Sequence, residues 1–216
     1  MKIYLDSSSF EITELINKFD LAGATSNPSI LYRNKTSYDE FVARIPRGKS
    51  FFIQLVNNEV EKMINEAKEL IDKYPGVIIK VAVTKEGLEV INKLHKLNIK
   101  TLATAIYSYE QGIFAAYCGA TYLAPYVKRM CNEGKDGVGI VKQIQETIDK
   151  HHLNTEIIAA SFSDVNQVNE LFMAGIEAVT LPLYLFEQYI NNSSTYKAVA
   201  DFEADAYKWK LEVNKK

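Results

Sequence analysis

Short β-branched segments alternate with amphipathic helical segments along the chain, and this alternation is what most restricts the fold. A strand followed by a helix, repeated, is typical of a parallel sheet. Eight such units in 216 residues favour a closed (β/α)8 TIM barrel over an open doubly wound sheet. We therefore predict an α/β fold of this kind with an additional C-terminal helix. The strand candidates are KIYLD (2–6), GATS (23–26), FFIQLV (51–56), VIIKVAV (77–83), TLATA (101–105), ATYLAP (120–125), EIIAASF (156–162) and EAVTLP (177–182).

The additional helix follows the eighth unit, and its apolar residues recur at steps of three and four. They are Val199, Phe202, Ala206, Trp209 and Val213. Such a stripe needs an apolar surface to cover it, which either its own barrel or a neighbouring subunit could provide. We predict one TIM-barrel domain over residues 1–216, in which residues 195–213 form a C-terminal helix that packs on a neighbouring subunit.

One helix start shows a recognisable capping pattern. Asn58 is followed three residues later by Glu61, directly before an amphipathic segment. This spacing resembles a capping box, and it predicts that the helix after the third strand begins there.

Composition argues against several classes of partner. The chain is 47% hydrophobic and 24% charged, with a formal net charge of -2. A near-neutral globular protein carries no basic footprint for nucleic acid or an anionic membrane. No apolar run approaches the roughly 18 residues that span a bilayer, and MKIYLDSSSF lacks the apolar core of a signal peptide. We expect a soluble cytoplasmic protein.

Polar side chains stand at or just past the carboxyl ends of most predicted strands. In a parallel barrel these ends meet at one mouth, where barrel enzymes carry their active sites. The convergence of so many polar groups predicts a functional site at this mouth. The positions are Asp6, Thr25, Asn27, Gln54, Lys80, Thr104, Tyr126 and Ser161.

Lys80 is the most informative of these positions, because it interrupts the apolar strand VIIKVAVT (77–84). A strand lysine can extend to solvent or pair with a carboxylate such as Asp6. A buried lysine instead loses the solvation that favours its ammonium form, and the neutral amine is a nucleophile. With a carbonyl it forms a Schiff base, whose iminium withdraws electrons and permits carbon–carbon bond cleavage. The position therefore predicts Schiff-base chemistry at Lys80.

The sequence predicts neither a metal site nor a cofactor. His151 and His152 adjoin at one helix end and His95 lies in another helix, so they do not share a strand-end site. Cys118 and Cys131 form neither a disulfide framework nor a zinc pattern. The glycine-rich fingerprint of nucleotide binding is absent from the sequence.

Two longer motifs carry a family resemblance. GATSNPSIL (23–31) resembles a transaldolase signature, and VIIKVAVTKEGL (77–88) resembles the segment that bears the family's Schiff-base lysine. YLDSS, TLATAIY, YLAPYVKR and AASF match in the same order. From Lys2 to about Leu183 the chain is similar to the small fructose-6-phosphate aldolase and transaldolase family.

The resemblance implies a class I aldolase barrel that acts on phosphorylated sugars. Lys80 would form the iminium with a dihydroxyacetone unit, and Asp6 and Asn27 would bind and orient its hydroxyl groups. Thr25 and Ser26 belong to the same signature and are expected to take part in substrate binding. The family also implies a homo-oligomer, either a pentamer or a decamer.

The remaining implied roles concern proton transfer and the phosphate. Tyr126 would act as general acid/base through a water held by Gln54 and Thr104. Arg129 and Ser161 would bind the phosphate of the aldehyde partner, for which a guanidinium fork is well suited.

Gln54 bears on the reaction subtype. Transaldolases of this family carry a glutamate there, whereas an amide cannot titrate. A glutamine is similar to the fructose-6-phosphate aldolases, so we expect reversible cleavage of fructose 6-phosphate to dihydroxyacetone and glyceraldehyde 3-phosphate. The alternative is a neutral variation within a transaldolase of the pentose phosphate pathway, which moves a dihydroxyacetone unit between sedoheptulose 7-phosphate and glyceraldehyde 3-phosphate. A non-catalytic sugar-phosphate-binding barrel is a further alternative, but it should have lost Lys80, Tyr126 or Asp6.

Two residues depart from the family pattern near these positions. Ala82 stands where the family usually has proline, and Ala103 stands where aldolases often have glycine. The additional methyl of Ala103 could narrow the acceptor pocket. Neither departure removes a proposed catalytic group.

Overall fold

The computed structural model describes residues 1–213, and the chain divides into two compact units, of which the first is Met1–Leu183 and the second begins at Tyr184. Within the described residues, eight parallel strands form a closed barrel in sequence order, and β1 pairs with β8 to close it. The predicted TIM barrel is confirmed. The strands are β1 (Lys2–Asp6), β2 (Gly23–Thr25), β3 (Ser50–Gln54), β4 (Ile78–Ala82), β5 (Thr101–Ile106), β6 (Tyr122–Pro125), β7 (Glu156–Ala160) and β8 (Ala178–Leu181).

Helices connect the strands, as the alternating pattern predicts. Those of the first unit are α1 (Glu11–Lys18), α2 (Pro28–Arg33), α3 (Tyr38–Ala43), α4 (Val60–Lys73), α5 (Lys85–Lys96), α6 (Tyr109–Tyr117), α7 (Val127–Asn132), α8 (Gly137–His151) and α9 (Val165–Met173). They are followed by α10 (Leu183–Ile190) and α11 (Ser193–Val213). Among residues 1–213, no helix is both long enough and apolar enough to cross a membrane.

The barrel interior is a packed core of aromatic and aliphatic side chains. Tyr4 packs edge-on against Phe52 with 5.5 Å between ring centroids, and Phe52 packs edge-on against Tyr122 at 6.0 Å. Each such aromatic pair contributes about 0.5–1.5 kcal/mol beyond the burial of its surface. Because the interior is filled, the centre of the barrel has no room for a ligand. The buried members of this core are Tyr4, Phe52, Ile78, Leu102, Ala124, Tyr126, Ile158, Ala160 and Ala178.

The start of α4 differs from the prediction. The residue before the helix is Glu59, whose side chain makes no capping hydrogen bond, so the predicted capping box of Asn58 and Glu61 is wrong. The carboxylate of Glu66 holds this loop instead, because it accepts hydrogen bonds from the backbone N–H groups of Val56 at 3.0 Å and Asn57 at 3.1 Å. A side chain from the second turn of α4 therefore satisfies donors that precede the helix.

A capping box does occur at α3. The Ser37 hydroxyl accepts from the backbone N–H of Glu40, and the Glu40 carboxylate accepts from the backbone N–H of Ser37. The spacing is that of the motif.

Two residues with left-handed backbone geometry flank β6. Ala105 has φ 57° at a register shift between β5 and β6, and Ser161 has φ 59° directly after β7. Positive φ is uncommon outside glycine, and such residues cluster at functional sites. The backbone N–H of Lys128, on α7, donates to the carbonyl of Ser161 at 2.6 Å. The chain that follows β6 is therefore tied to the turn that follows β7.

The second unit presents an exposed aromatic surface on α11. Tyr196, Phe202, Tyr207 and Trp209 are all more than 60% exposed, and none of the helix's residues is buried. The additional C-terminal helix is confirmed. That it packs on a neighbouring subunit, and that residues 1–216 form a single domain, stay predictions.

Candidate active site

The barrel register brings the predicted strand-end residues to one rim. Asp6 is the pairing partner of Thr25 across β1 and β2, and Gln54 is the partner of Lys80 across β3 and β4. Thr104 stands opposite Ala82 of β4. Because parallel strands all end at the same side, these side chains share the carboxyl mouth of the barrel.

Lys80 is buried within this mouth. The residue is 3% exposed, and its Nζ donates a hydrogen bond to the backbone carbonyl of Ser26 at 3.2 Å. It does not extend to solvent. Within residues 1–213, the amine forms no ion pair with a carboxylate, so the Asp6 pairing considered from the sequence is not found. A carbonyl compound at Nζ would therefore have no ion pair to displace.

A chain of oxygen atoms lies beside Asp6. The Thr25 hydroxyl donates to Oδ1 of Asp6 at 2.7 Å, and the same hydroxyl is 2.7 Å from that of Thr180. Both threonines are buried. Thr180 was missed by the sequence reasoning, which drew no polar residue from the eighth strand although AVTL contains one.

Tyr126 belongs to a second cluster across the mouth. Its phenol oxygen accepts a hydrogen bond from the buried Thr104 hydroxyl at 2.9 Å. The guanidinium carbon of Arg129 lies 4.6 Å from the centroid of the Tyr126 ring. The Tyr107 ring packs edge-on against the Tyr126 ring, with 5.8 Å between the two centroids. The phenol is thus held on three sides by side chains from β5, the loop after β5, and α7.

Arg129 has a fixed partner in this cluster. Its Nη1 donates to the Tyr107 hydroxyl at 2.9 Å, and this hydrogen bond raises the pKa of the guanidinium, against the opposing effect of burial. Arg129 is therefore a permanent cation. Tyr107 was also missed, although it ends the motif TLATAIY.

Three further predicted residues lie at the β2 and β3 side of the mouth. The amide oxygen of Asn27 accepts from the backbone N–H of Ile30 at 3.0 Å, which caps α2 and orients the –NH₂ group. The Ser26 hydroxyl is buried and has no hydrogen-bond partner among residues 1–213. Gln54 is half-buried and lines, with Ala82, a cleft of about 480 Å³.

The structure therefore gathers the predicted residues in separate clusters around one mouth. Asp6 and Thr25 are bonded to each other, as are Thr104 and Tyr126, while Lys80 contacts the backbone of Ser26. Ser161 lies directly after β7 and is joined to α7 through its carbonyl. Because these groups end strands of the same barrel, they share the mouth in which the Lys80 amine lies.

The closed parallel barrel places this protein among the (β/α)8 barrels, and the buried Lys80 lies at its polar mouth. Residues 3–216 match the family described as Transaldolase/Fructose-6-phosphate aldolase. The chain belongs to this family. The resemblance found in the sequence is confirmed.

Solved structures of more distant proteins share the barrel. A mandelate oxidase variant with 4-Br-2-hydroxy-methylphenylacetate superposes with a TM-score of 0.59 at 11% identity. The same oxidase variant with a monooxide FMN adduct gives 0.58 at 10% identity. Each match covers 83% of this chain and 64% of the oxidase chain. At such low identity the likeness concerns the fold alone.

The two neighbouring residues Thr25 and Ser26 should differ sharply when their hydroxyls are removed. Thr25→Val should lower the free energy of unfolding by about 1–3 kcal/mol, because the half-buried carboxylate of Asp6 and the buried hydroxyl of Thr180 lose a partner. Ser26→Ala removes a buried hydroxyl that lacks a partner and should leave this free energy unchanged or raise it. Urea unfolding of both variants measures the difference, and equal losses would contradict these hydrogen-bond assignments.

Proposed function

We propose that the protein is a class I aldolase that cleaves fructose 6-phosphate through a Schiff base on Lys80. The observation that carries this proposal is the buried Lys80 amine, which is held at the barrel mouth by one carbonyl and faces no carboxylate partner among residues 1–213. Family membership supports the aldolase chemistry.

The reaction begins when the Lys80 amine adds to the C2 carbonyl of the ketose and water leaves. In the iminium that results, a base removes the proton of the C4 hydroxyl. The bond between C3 and C4 breaks, its electron pair moves to the iminium nitrogen, and glyceraldehyde 3-phosphate departs as an aldehyde. The enamine that remains takes a proton at C3, and hydrolysis releases dihydroxyacetone and the free amine. Each proton removed is returned, so no external oxidant or reductant is needed.

Tyr126 is the proposed acid/base for the proton steps. The Thr104 hydroxyl fixes the position of its oxygen at 2.9 Å, and the Arg129 cation lies over its ring. A water between Gln54 and Thr104 is the proposed carrier of the proton. Gln54 can orient such a water but cannot titrate.

The substrate's polar groups have matching partners on both sides of Lys80. We assign the hydroxyls of the dihydroxyacetone unit to Asp6 and Asn27, with Thr25 and Ser26 beside them. The Asn27 amide is already oriented by its cap on α2.

The phosphate is assigned to Arg129 and Ser161. A permanently charged guanidinium presents several donors to phosphate oxygens. Arg129 lies over the Tyr126 ring, so a phosphate bound there would place the aldehyde carbon close to the proposed acid/base.

Gln54 favours the aldolase over the transaldolase, because the half-buried amide supplies no titratable group at the β3 end. Transfer of a dihydroxyacetone unit to an acceptor sugar phosphate is the alternative that family membership allows. In either case the expected setting is cytoplasmic carbohydrate metabolism, including the pentose shunt.

The proposal includes assembly into a homo-oligomer, a pentamer or a decamer. The aromatic residues of α11 are exposed in the single chain, and Phe202 alone is 70% exposed. An apolar helix surface of this kind is stabilised when a second copy covers it.

Borohydride trapping tests the Schiff base. In the presence of dihydroxyacetone, reduction should add the mass of one reduced adduct at Lys80, found by peptide mass spectrometry. Lys80→Met should lose the adduct and at least about 10³-fold in turnover. The exposed Lys68 is an internal control that should stay unmodified. An adduct on other lysines with Lys80 unmodified would overturn the proposal.

Offering fructose 6-phosphate alone, and then with erythrose 4-phosphate, tests the reaction subtype. We expect cleavage without the acceptor, and Gln54→Glu should shift the ratio of transfer to cleavage by at least about tenfold because it adds a titratable group. Gln143→Glu adds the same charge at an exposed position on α8 and should leave the ratio unchanged. Wild-type turnover only with the acceptor would show a transaldolase.

Light scattering tests the assembly. The wild-type particle should have five or ten times the 24.4 kDa mass of the chain. Phe202→Asp should reduce that mass because it places a charge in the apolar surface, whereas Lys210→Asp changes a charge on the same helix and should not. A stable wild-type monomer would contradict the proposed assembly.

A further inference from the structure

We infer that Thr180 is a positioning residue of the donor-binding site, which acts on Asp6 through Thr25. The inference rests on the proposed function in one respect, the assignment of donor hydroxyls to Asp6. Thr180 lies in β8 and is 3% exposed, and its hydroxyl is 2.7 Å from that of Thr25.

The direction of the hydrogen bonds follows from counting hydrogens. A carboxylate only accepts, and a threonine hydroxyl has one hydrogen. The hydrogen of Thr25 is given to Asp6 Oδ1 at 2.7 Å. The hydrogen between the two threonines must then come from Thr180. The result is a one-way chain in which Thr180 donates to Thr25 and Thr25 donates to Asp6.

This chain of hydrogen bonds spans three neighbouring strands of the closed barrel. Thr180 of β8 pairs in register with Tyr4 of β1, and Thr25 of β2 pairs with Asp6 of β1. The contact between the two threonines therefore crosses β1 on the inner side of the barrel, below the carboxylate. Both threonines are β-branched and stiff about χ1, so the chain holds the carboxylate in one orientation.

The burial of both threonines makes the hydrogen from Thr180 difficult to replace. Thr25 is 0% exposed, so solvent does not reach its oxygen to supply another donor. Without the Thr180 hydroxyl, the Thr25 hydroxyl loses the hydrogen bond that fixes its orientation. The Asp6 carboxylate would then be free to turn away from the donor, although Thr180 itself touches no substrate.

Donor affinity is the quantity that separates positioning from a purely structural role. In the synthesis direction, Thr180→Val should raise the KM for dihydroxyacetone by about tenfold, the size expected when the misplaced Asp6 carboxylate loses one hydrogen bond to the donor. The KM for glyceraldehyde 3-phosphate should stay within about twofold, because its proposed partners lie across the mouth. Thr180→Ser keeps the donor hydrogen and should restore the donor KM.

Thr101 provides a matched control within the same barrel. It begins β5, is fully buried, and its hydroxyl has no hydrogen-bond partner among residues 1–213. Thr101→Val therefore removes a hydroxyl from a barrel strand without breaking a hydrogen bond, and the KM for dihydroxyacetone should not change. An equal rise in donor KM for Thr101→Val would overturn the inference.

A second pair of variants covers the case in which Thr180→Val does not fold. Thr180→Ser and Thr180→Ala lose the same methyl group and differ only in the hydroxyl. The dihydroxyacetone concentration for half-maximal borohydride trapping should be about tenfold higher for Thr180→Ala. Equal concentrations for the two variants would overturn the inference about Thr180, whereas failure of the wild-type protein to be trapped would overturn the proposed function.

Discussion

Pairing between the first and last strands is the constraint on which the mouth of this barrel depends. The β1–β8 ladder turns a curved sheet into a ring, and only a ring places β8 next to β1 and β2. Asp6 thereby acquires buried hydroxyls beneath it that are about 155 positions apart in the chain. An open sheet of the same strands would leave Thr180 at one edge and Thr25 near the other.

The filled interior gives the mouth its rigidity. Edge-on contacts among Tyr4, Phe52 and Tyr122 occupy the centre of the ring, and Tyr126 belongs to the same buried core. In a close-packed core, the displacement of one side chain disturbs the side chains packed against it. The phenol proposed as acid/base is therefore held by packing as well as by the Thr104 hydroxyl.

The sequence predicts the barrel well because each strand–helix unit carries its own pattern. Boundaries differ by one or two residues, as at Val77 and Val83, which lie outside β4 although the apolar run includes them. The start of α4 was predicted wrongly because Glu66, eight residues beyond Asn58, reaches back to the loop. A local capping pattern does not reveal a competing side chain from the next turn.

The candidate site could be predicted where its residues end strands, since parallel register alone brings those ends together. Thr180 and Tyr107 escaped prediction for different reasons. Thr180 matters only through ring closure, which joins it to a residue from the opposite end of the sequence. In β5 the alternation of inward and outward side chains shifts at Ala105, and Tyr107 comes after this shift.

That change of face has a consequence for the geometry around Tyr126. Before Ala105, the even-numbered residues Leu102 and Thr104 point into the barrel; after it, the odd-numbered Tyr107 packs against the same interior core. The extra residue in β5 shifts the alternation of inward and outward side chains by one position. Straightening this strand would exchange Tyr107 for a neighbour and leave the guanidinium of Arg129 without its oxygen acceptor. The backbone irregularity at Ala105 thus determines which aromatic side chain lies at the mouth. A design that transfers this site to another barrel would need the same irregularity.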